Sequence, residues 1–199
     1  GQRSLTYLDV SDTGLAGATG QQHEPLLTLG LHISTNKVLQ TLKIAGNLVT
    51  GEYHPIKPLL KGWEALMRGL RRNRRRTSLD VARNGLGPEG VQMLADVLLT
   101  RGVAIEELDI SSNFITNSSH NMVGVDAIST VIEHSHTLRA INLASNQLCG
   151  TSLAPIRSGV DRIIDAVAGS RTLERIELGG NFIGIGLACV VACVATVAV

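Results

Sequence analysis

Six short segments of the chain share one pattern of hydrophobic and polar positions. With few exceptions, each has apolar residues at its first, fourth, sixth and eleventh positions and an asparagine at its ninth. The segments are residues 5–15, 39–49, 76–86, 105–115, 138–148 and 173–183. Because side chains alternate along a strand, the fourth and sixth positions face the same way. The pattern therefore predicts six strands, each with one buried apolar face.

A second pattern lies between the strand motifs and predicts helices. A glycine is followed by apolar residues at offsets of one, four and eight, which form one stripe on a helix. This pattern starts at Gly62, Gly90, Gly124, Gly159 and Gly186. The first repeat has only a degenerate version, at residues 24–31. Strand, loop and helix in repetition predict an α/β solenoid, with parallel strands inside, helices outside and the core between them.

These motifs resemble the leucine-rich-repeat family, and in particular its ribonuclease-inhibitor-like subclass, whose long repeats contain true helices. Residues 79–98, LDVARNGLGPEGVQMLADVL, are the closest match. The resemblance implies a leucine-rich-repeat horseshoe solenoid of about six repeats. It also implies a non-catalytic scaffold that binds another protein. We expect residues 1–199 to form a single such domain and to be a fragment of a longer protein.

The recurrent asparagines are predicted to be structural. They follow each strand where the chain turns inward, and a side-chain amide both donates and accepts hydrogen bonds. It therefore suits backbone groups that otherwise stay unpaired. The set is Asn47, Asn84, Asn113, Asn146 and Asn181. Thr13 takes this position in the first repeat, where it replaces the amide only in part.

The outward strand positions form the first candidate contact surface. The fifth position of the motif is mostly acidic, and the seventh is uniformly small. Small residues would let a partner approach the sheet, but tight curvature of the sheet favours them as well, and both interpretations stay open. On this concave face we expect a partner to contact Asp80, Asp109, Asn142 and Glu177.

The loops between strand and helix form the second candidate surface. Almost all variation in repeat length falls there, and the longest loops are residues 50–61, 116–123 and 149–158. Every repeat runs in the same direction, so these loops leave one rim of the solenoid. Insertions on one face often mark a binding face. Neutral drift remains the alternative, because surface loops tolerate changes in length at little cost.

Residues 68–76, RGLRRNRRR, hold six arginines and form the third candidate surface. One interpretation is a solvated helix end, because cations suit a helix C-terminus. The other is a site for an anionic partner, which would be an acidic protein, a phosphate or an anionic lipid. Its contacts would be Arg71, Arg72, Arg74 and Arg75. The run also looks like a nuclear-import signal.

Composition narrows the classes of function. Eighteen basic and seventeen acidic residues give a net charge of +1, which does not indicate nucleic-acid binding. Aromatic residues make up 3%, so few rings are available to stack on bases or flat cofactors. Three cysteines make no disulfide framework, which favours a reducing compartment. We therefore expect the protein in the cytoplasm, with the nucleus as the alternative.

No combination of residues indicates an active site, so we expect neither enzymatic activity nor a cofactor. The chain has no nucleophile with a neighbouring base and no phosphate-binding loop. His120, His134 and His136 lie close in sequence, but the solenoid separates the first from the other two. We therefore expect no metal site.

Ran GTPase-activating proteins provide the alternative function. They resemble this chain in their repeats, and the resemblance implies a catalytic arginine in a strand-to-helix loop. Residues 49–61, VTGEYHPIKPLLK, contain lysines but no arginine. A lysine does not reproduce the guanidinium fork. The alternative is therefore a small-GTPase regulator that lacks the loop arginine.

The last predicted helix, residues 186–199, carries no charged residue. A terminal repeat normally has a polar outer cap. We therefore expect this helix to pack against further repeats, another domain or a second copy of the chain. It is too short to span a membrane, so we expect no membrane association.

Overall fold

Strands and helices alternate along the chain in a computed structural model that describes residues 4–17, 21–51, 59–73, 77–117, 120–151, 154–155 and 157–183. The elements are β1 (Tyr7–Asp9), α1 (Glu24–Thr35), β2 (Thr41–Lys43), α2 (Lys61–Arg72), β3 (Ser78–Asp80), α3 (Gly87–Leu98), β4 (Glu107–Asp109), α4 (Val123–His134), β5 (Ala140–Asn142), β6 (Gly150–Thr151), β7 (Ala154–Pro155), α5 (Ser158–Gly169) and β8 (Arg175–Glu177).

Six of the strands form one parallel sheet in the order β1, β2, β3, β4, β5, β8. Residues at the same position of the repeated motif pair with each other across the whole sheet. The fourth position pairs Leu8, Leu42, Leu79, Leu108, Ile141 and Ile176. The predicted α/β solenoid, with a parallel inner sheet and outer helices, is therefore confirmed.

The core lies between the sheet and the helices. In the second repeat, Leu42 and Ile44 at the fourth and sixth positions are fully buried. Leu66 from the apolar stripe of α2 meets them in the same hydrophobic cluster. In the first repeat Leu8 is only half-buried, because β1 has one neighbouring strand instead of two.

The helices follow the predicted stripes, with differences at their ends. Helix α3 begins at Gly87, three residues before Gly90, because Pro88 fits the first turn of a helix. Helix α1 continues to Thr35, four residues past the degenerate pattern. Within the loop after β5, strands β6 and β7 form a short antiparallel pair that the sequence did not predict.

Several expectations lie outside the described residues. They are the C-terminal helix at 186–199, most of the loop at 50–61, and Arg74 and Arg75 of the arginine run. Within the described part of the chain, no helix combines the length and the apolar character needed to cross a membrane.

Candidate functional site

The repeated asparagines lie buried at the ends of the strands, where they connect consecutive repeats. The amide nitrogen Nδ2 of Asn84 donates to the carbonyl oxygens of Val81, at 3.0 Å, and of Ile44 in the preceding repeat, at 2.9 Å. Its Oδ1 accepts the backbone N–H of Asn47, at 2.9 Å. One side chain therefore satisfies backbone groups of two repeats.

The same arrangement continues along the array. The Oδ1 atoms of Asn113, Asn146 and Asn181 each accept the backbone N–H of the asparagine one repeat earlier, at 3.0, 2.8 and 2.8 Å. Each asparagine is 1% exposed or less, so these bonds are shielded from water. In the first repeat, the hydroxyl of Thr13 donates to the carbonyl oxygen of Val10 at 2.8 Å and to Oδ1 of Asn47 at 3.2 Å, and that Oδ1 also accepts the N–H of Thr13. The asparagine side chains are thus occupied inside the protein.

On the concave face, defined as the solvent-facing side of the sheet, the structure brings the four candidate residues into one row. Asp80, Asp109, Asn142 and Glu177 occupy neighbouring strands at the same position. They line a shallow depression of about 180 Å³. Lys43 and Arg175 border it at opposite ends, and Glu107 adds a fourth carboxylate near its centre.

The carboxylates of this row are held by the backbone that follows them. Oδ1 of Asp109 accepts the N–H of Ser111 at 2.9 Å and its hydroxyl at 2.7 Å. Oδ1 of Asp80 likewise accepts the N–H of Ala82 at 3.1 Å. Asn142 donates from Nδ2 to the other oxygen of Asp109, at 2.9 Å. Asp80, Asp109 and Asn142 therefore present their oxygens in a fixed arrangement before any partner arrives, whereas the exposed Glu177 only approaches Arg175 of its own strand, at 4.0 Å.

The electrostatic environment differs between the middle and the edge of the concave face. Burial raises the pKa of Asp80, and the negative charge of Asp109 acts in the same direction, against the bond from Ala82. At the edge, the hydrogen bonds from Ser11 lower the pKa of Asp9. The charged form of Asp80, in the middle of the face, is therefore less well stabilised than that of Asp9 at its edge.

The described part of the arginine run lies on the other side of the solenoid. Arg68, Arg71 and Arg72 are exposed on α2, at the helix surface, and make no ion pair within the described residues. The structure therefore does not bring these three arginines together with the acidic row. The two candidate surfaces face opposite directions, as the alternation of strand and helix requires.

Sequence analysis missed an ion pair on the strand side that spans two repeats. Arg83 reaches across the second repeat and binds Asp12 with two hydrogen bonds, of 3.0 and 2.8 Å. The two residues occupy the eighth position of the third and first motifs, and Gly46 occupies it between them. A Cβ at Gly46 would overlap Oδ1 of Asp12. When the eighth positions of the first three motifs are aligned, they read acid, glycine and arginine. That order could have predicted the ion pair from the sequence.

The insertion rim is described only in part, without residues 52–58, 118–119, 152–153 and 156. Where it is described, two buried threonines tie it to the next repeat. The hydroxyl of Thr50 donates to the carbonyl oxygen of Gly85 at 2.7 Å, and that of Thr116 to Gln147 at 2.9 Å. The start of each of these two loops is therefore anchored.

The remaining candidates bring no chemistry together. The described residues contain no group of three or more metal-ligand side chains. His134 is the last residue of α4, whereas His120 lies in the loop before that helix. Cys149 is buried, and burial raises the pKa of its thiol, which keeps it protonated.

Comparison with known proteins agrees with the fold. The family model described as Leucine Rich repeat matches residues 77–95, which cover β3 and most of α3. This match supports a leucine-rich-repeat protein, and the chain folds as an α/β leucine-rich-repeat solenoid. No curated protein matches the chain. Repeat solenoids commonly use their extended concave surfaces to bind other proteins.

Proposed function

We propose that the protein is a non-catalytic scaffold that binds a partner protein through its concave face. The observation that carries the proposal is the row of Asp80, Asp109, Asn142 and Glu177 on four adjacent strands. Carboxylates dominate its centre, so the partner would present a basic segment there. Lys43 and Arg175 at the borders would set the position of that segment, because they repel its cations.

The dimensions of the concave face fit an ordinary protein interface. Six strands separated by about 4.8 Å give a width of about 24 Å, which is on the scale of a standard contact surface. The small residues Ala82, Ser111 and Ala144 follow the acidic row. They would let the backbone of the partner come close to the sheet.

Finer assignments belong to the same proposal. The outer elements are full α-helices of 12 residues, which supports the ribonuclease-inhibitor-like subclass. We also propose that the protein acts in the cytoplasm, which the low cysteine content supports. The insertion rim would add contacts beside the concave face.

The experiment compares two double variants that remove the same charge. Proximity labelling with the full-length protein identifies candidate partners. Each purified partner is then titrated against the double variant that combines Asp80→Asn and Asp109→Asn. The control is Asp96→Asn with Asp165→Asn, because both residues are exposed on outer helices. Thermal unfolding checks that every variant is folded.

We expect the concave variant to weaken binding about tenfold and the control to leave it nearly unchanged, because loss of one member of a desolvated charge pair leaves the other member unpaired. The weakening should shrink at high salt, where charges are screened. Equal affinities for the two variants would show that the concave row is not the binding surface.

A further inference from the structure

Helices α1 and α2 touch backbone to backbone and leave a groove on the outer surface. Gly30 and Gly69 provide the close approach, because a Cβ at Gly30 would lie 2.5 Å from the carbonyl oxygen of Ala65. A Cβ at Gly69 would overlap the carbonyl group of Gly30. The floor of the groove is therefore formed by main chain and small residues. Its volume is about 530 Å³.

The two sides of the groove differ in character. Helix α1 contributes Leu27 and Leu31, four residues apart, and Leu31 is 65% exposed. Helix α2 contributes the three exposed arginines Arg68, Arg71 and Arg72. Among the described residues, no acidic side chain lines the groove and these arginines have no ion pair. One side is therefore apolar, and the other carries three unbalanced positive charges.

Helices α4 and α5 provide a comparison, because the charges on the surface between them are paired. There Asp126 on α4 forms an ion pair with Arg162 on α5. Ser129 also donates to the backbone carbonyl oxygen of Arg162, at 3.4 Å. The charge between those helices is balanced from within the chain. Between α1 and α2 no described carboxylate lines the groove, so a partner could supply the complementary charge.

We infer that this groove binds an acidic amphipathic helix of a partner protein. Leucine-like residues along one edge of that helix would cover Leu27 and Leu31. Carboxylates along the adjacent edge would pair with Arg68, Arg71 and Arg72, because the guanidinium fork matches a carboxylate in two-point geometry. This site lies on the side opposite the concave face and is independent of the proposed function.

The shape of the groove favours a helix over a lipid surface. Residues 27–34 of α1 extend about 10 Å, the length of about two turns of a helix laid between the two ridges. A helix that inserts in a groove reaches the floor at Gly30, Ala65 and Gly69. A flat anionic membrane would contact only the ridges and leave this floor uncovered.

The test uses a labelled synthetic peptide of about three helical turns. It carries leucines four residues apart along one edge and glutamates along the next. A control peptide has the same composition with these residues redistributed around the helix. Vesicles of phosphatidylcholine with a minor fraction of phosphatidylserine form the membrane arm. Each probe is titrated against the full chain.

The variants are matched in charge and in character. Arg68→Gln with Arg71→Gln is compared with Arg101→Gln and Arg171→Gln, two exposed arginines outside the groove. Leu31→Gln is compared with Leu99→Gln at another exposed leucine, which is 42% exposed. All these side chains are exposed, so the fold should survive, and thermal unfolding checks it.

We expect the ordered peptide to bind and the redistributed one to bind much less. The groove arginine variant should weaken binding about tenfold, and Leu31→Gln about fivefold, whereas their controls should change it little. Absence of peptide binding, equal weakening by groove and control variants, or a preference for the vesicles would each overturn the inference.

Discussion

Helix α2 packs against its two neighbours in opposite ways. On the side of α1, Gly69 and Gly30 bring the two backbones into direct contact. On the side of α3, the fully buried Trp63 fills the space, and its Nε1 donates to the carbonyl oxygen of Gly90 at 2.8 Å. The strands beneath both interfaces keep the same register. The sheet therefore sets the repeat, and the outer helices adapt to it with small or large side chains.

The largest expected effect comes from the tight interface. Gly69→Ala should destabilise the protein by about 3 kcal/mol, because the added methyl group meets the backbone of α1 and forces the helices apart. Gly90→Ala is the matched control, since its Cβ would lie 3.2 Å from a Leu86 side chain and alanine favours a helix. Chemical denaturation measures both. Equal losses would contradict the difference between the two sides of α2.

Substitution of the asparagines tests whether the bonds at the strand ends stabilise each repeat equally, however the outer helices pack. Asn84→Ala and Asn113→Ala should each cost about 2 kcal/mol, because buried backbone groups of two repeats lose their partners. Thermal and denaturant unfolding give the values. If Asn84→Ala, which lies between α2 and α3, cost far less than Asn113→Ala, the strand ends would not be equivalent along the array.

Trp63→Phe should have a smaller effect, of about 1–2 kcal/mol. The substitution keeps most of the buried ring but removes the donor to Gly90, whose carbonyl oxygen then loses a bond. Hydrogen exchange should show the change first in α3 and leave α1 protected. Equal loss of protection in α1 and α3 would mean that Trp63 does not act on the interface with α3 alone.

The smallest effect is expected on the strand side of the same repeats. Because the pKa of Asp80 is raised in the folded state, its charged form destabilises the fold, and stability is lost as pH rises from its unfolded pKa through its folded one. Asp80→Asn should therefore raise stability at neutral pH by about 0.5 kcal/mol, and this gain should vanish below pH of about 3.8. A gain independent of pH would contradict a role of the charge.

Much of the architecture was predictable because it repeats. The alternation around Leu42 and Leu79 fixes which face of each strand is buried, and the helical stripes fix which side of each helix meets the sheet. The contact between Gly30 and Gly69 was not predictable in this way. A periodic pattern of apolar residues says where a helix lies but not how closely two helices approach.

The candidate surfaces were predictable to different degrees. The acidic row followed directly from the register, because residues at one motif position must stand side by side. The pair of Arg83 and Asp12 was missed because it skips one repeat and depends on the absence of a side chain at Gly46. Strands β6 and β7 were missed because two-residue strands are too short to show alternation.

The asparagine bonds give the array a direction. The side chain of Asn84 accepts the backbone N–H of Asn47, and the side chain of Asn113 accepts that of Asn84. The same bond is repeated as far as Asn181. Through these asparagines, the end of each strand is thus completed by the repeat that follows it. Stability in such an array depends on nearest neighbours. Unfolding that begins at the C-terminal side of the array would therefore expose these amide protons one after another. Hydrogen exchange would show the order in which they lose protection.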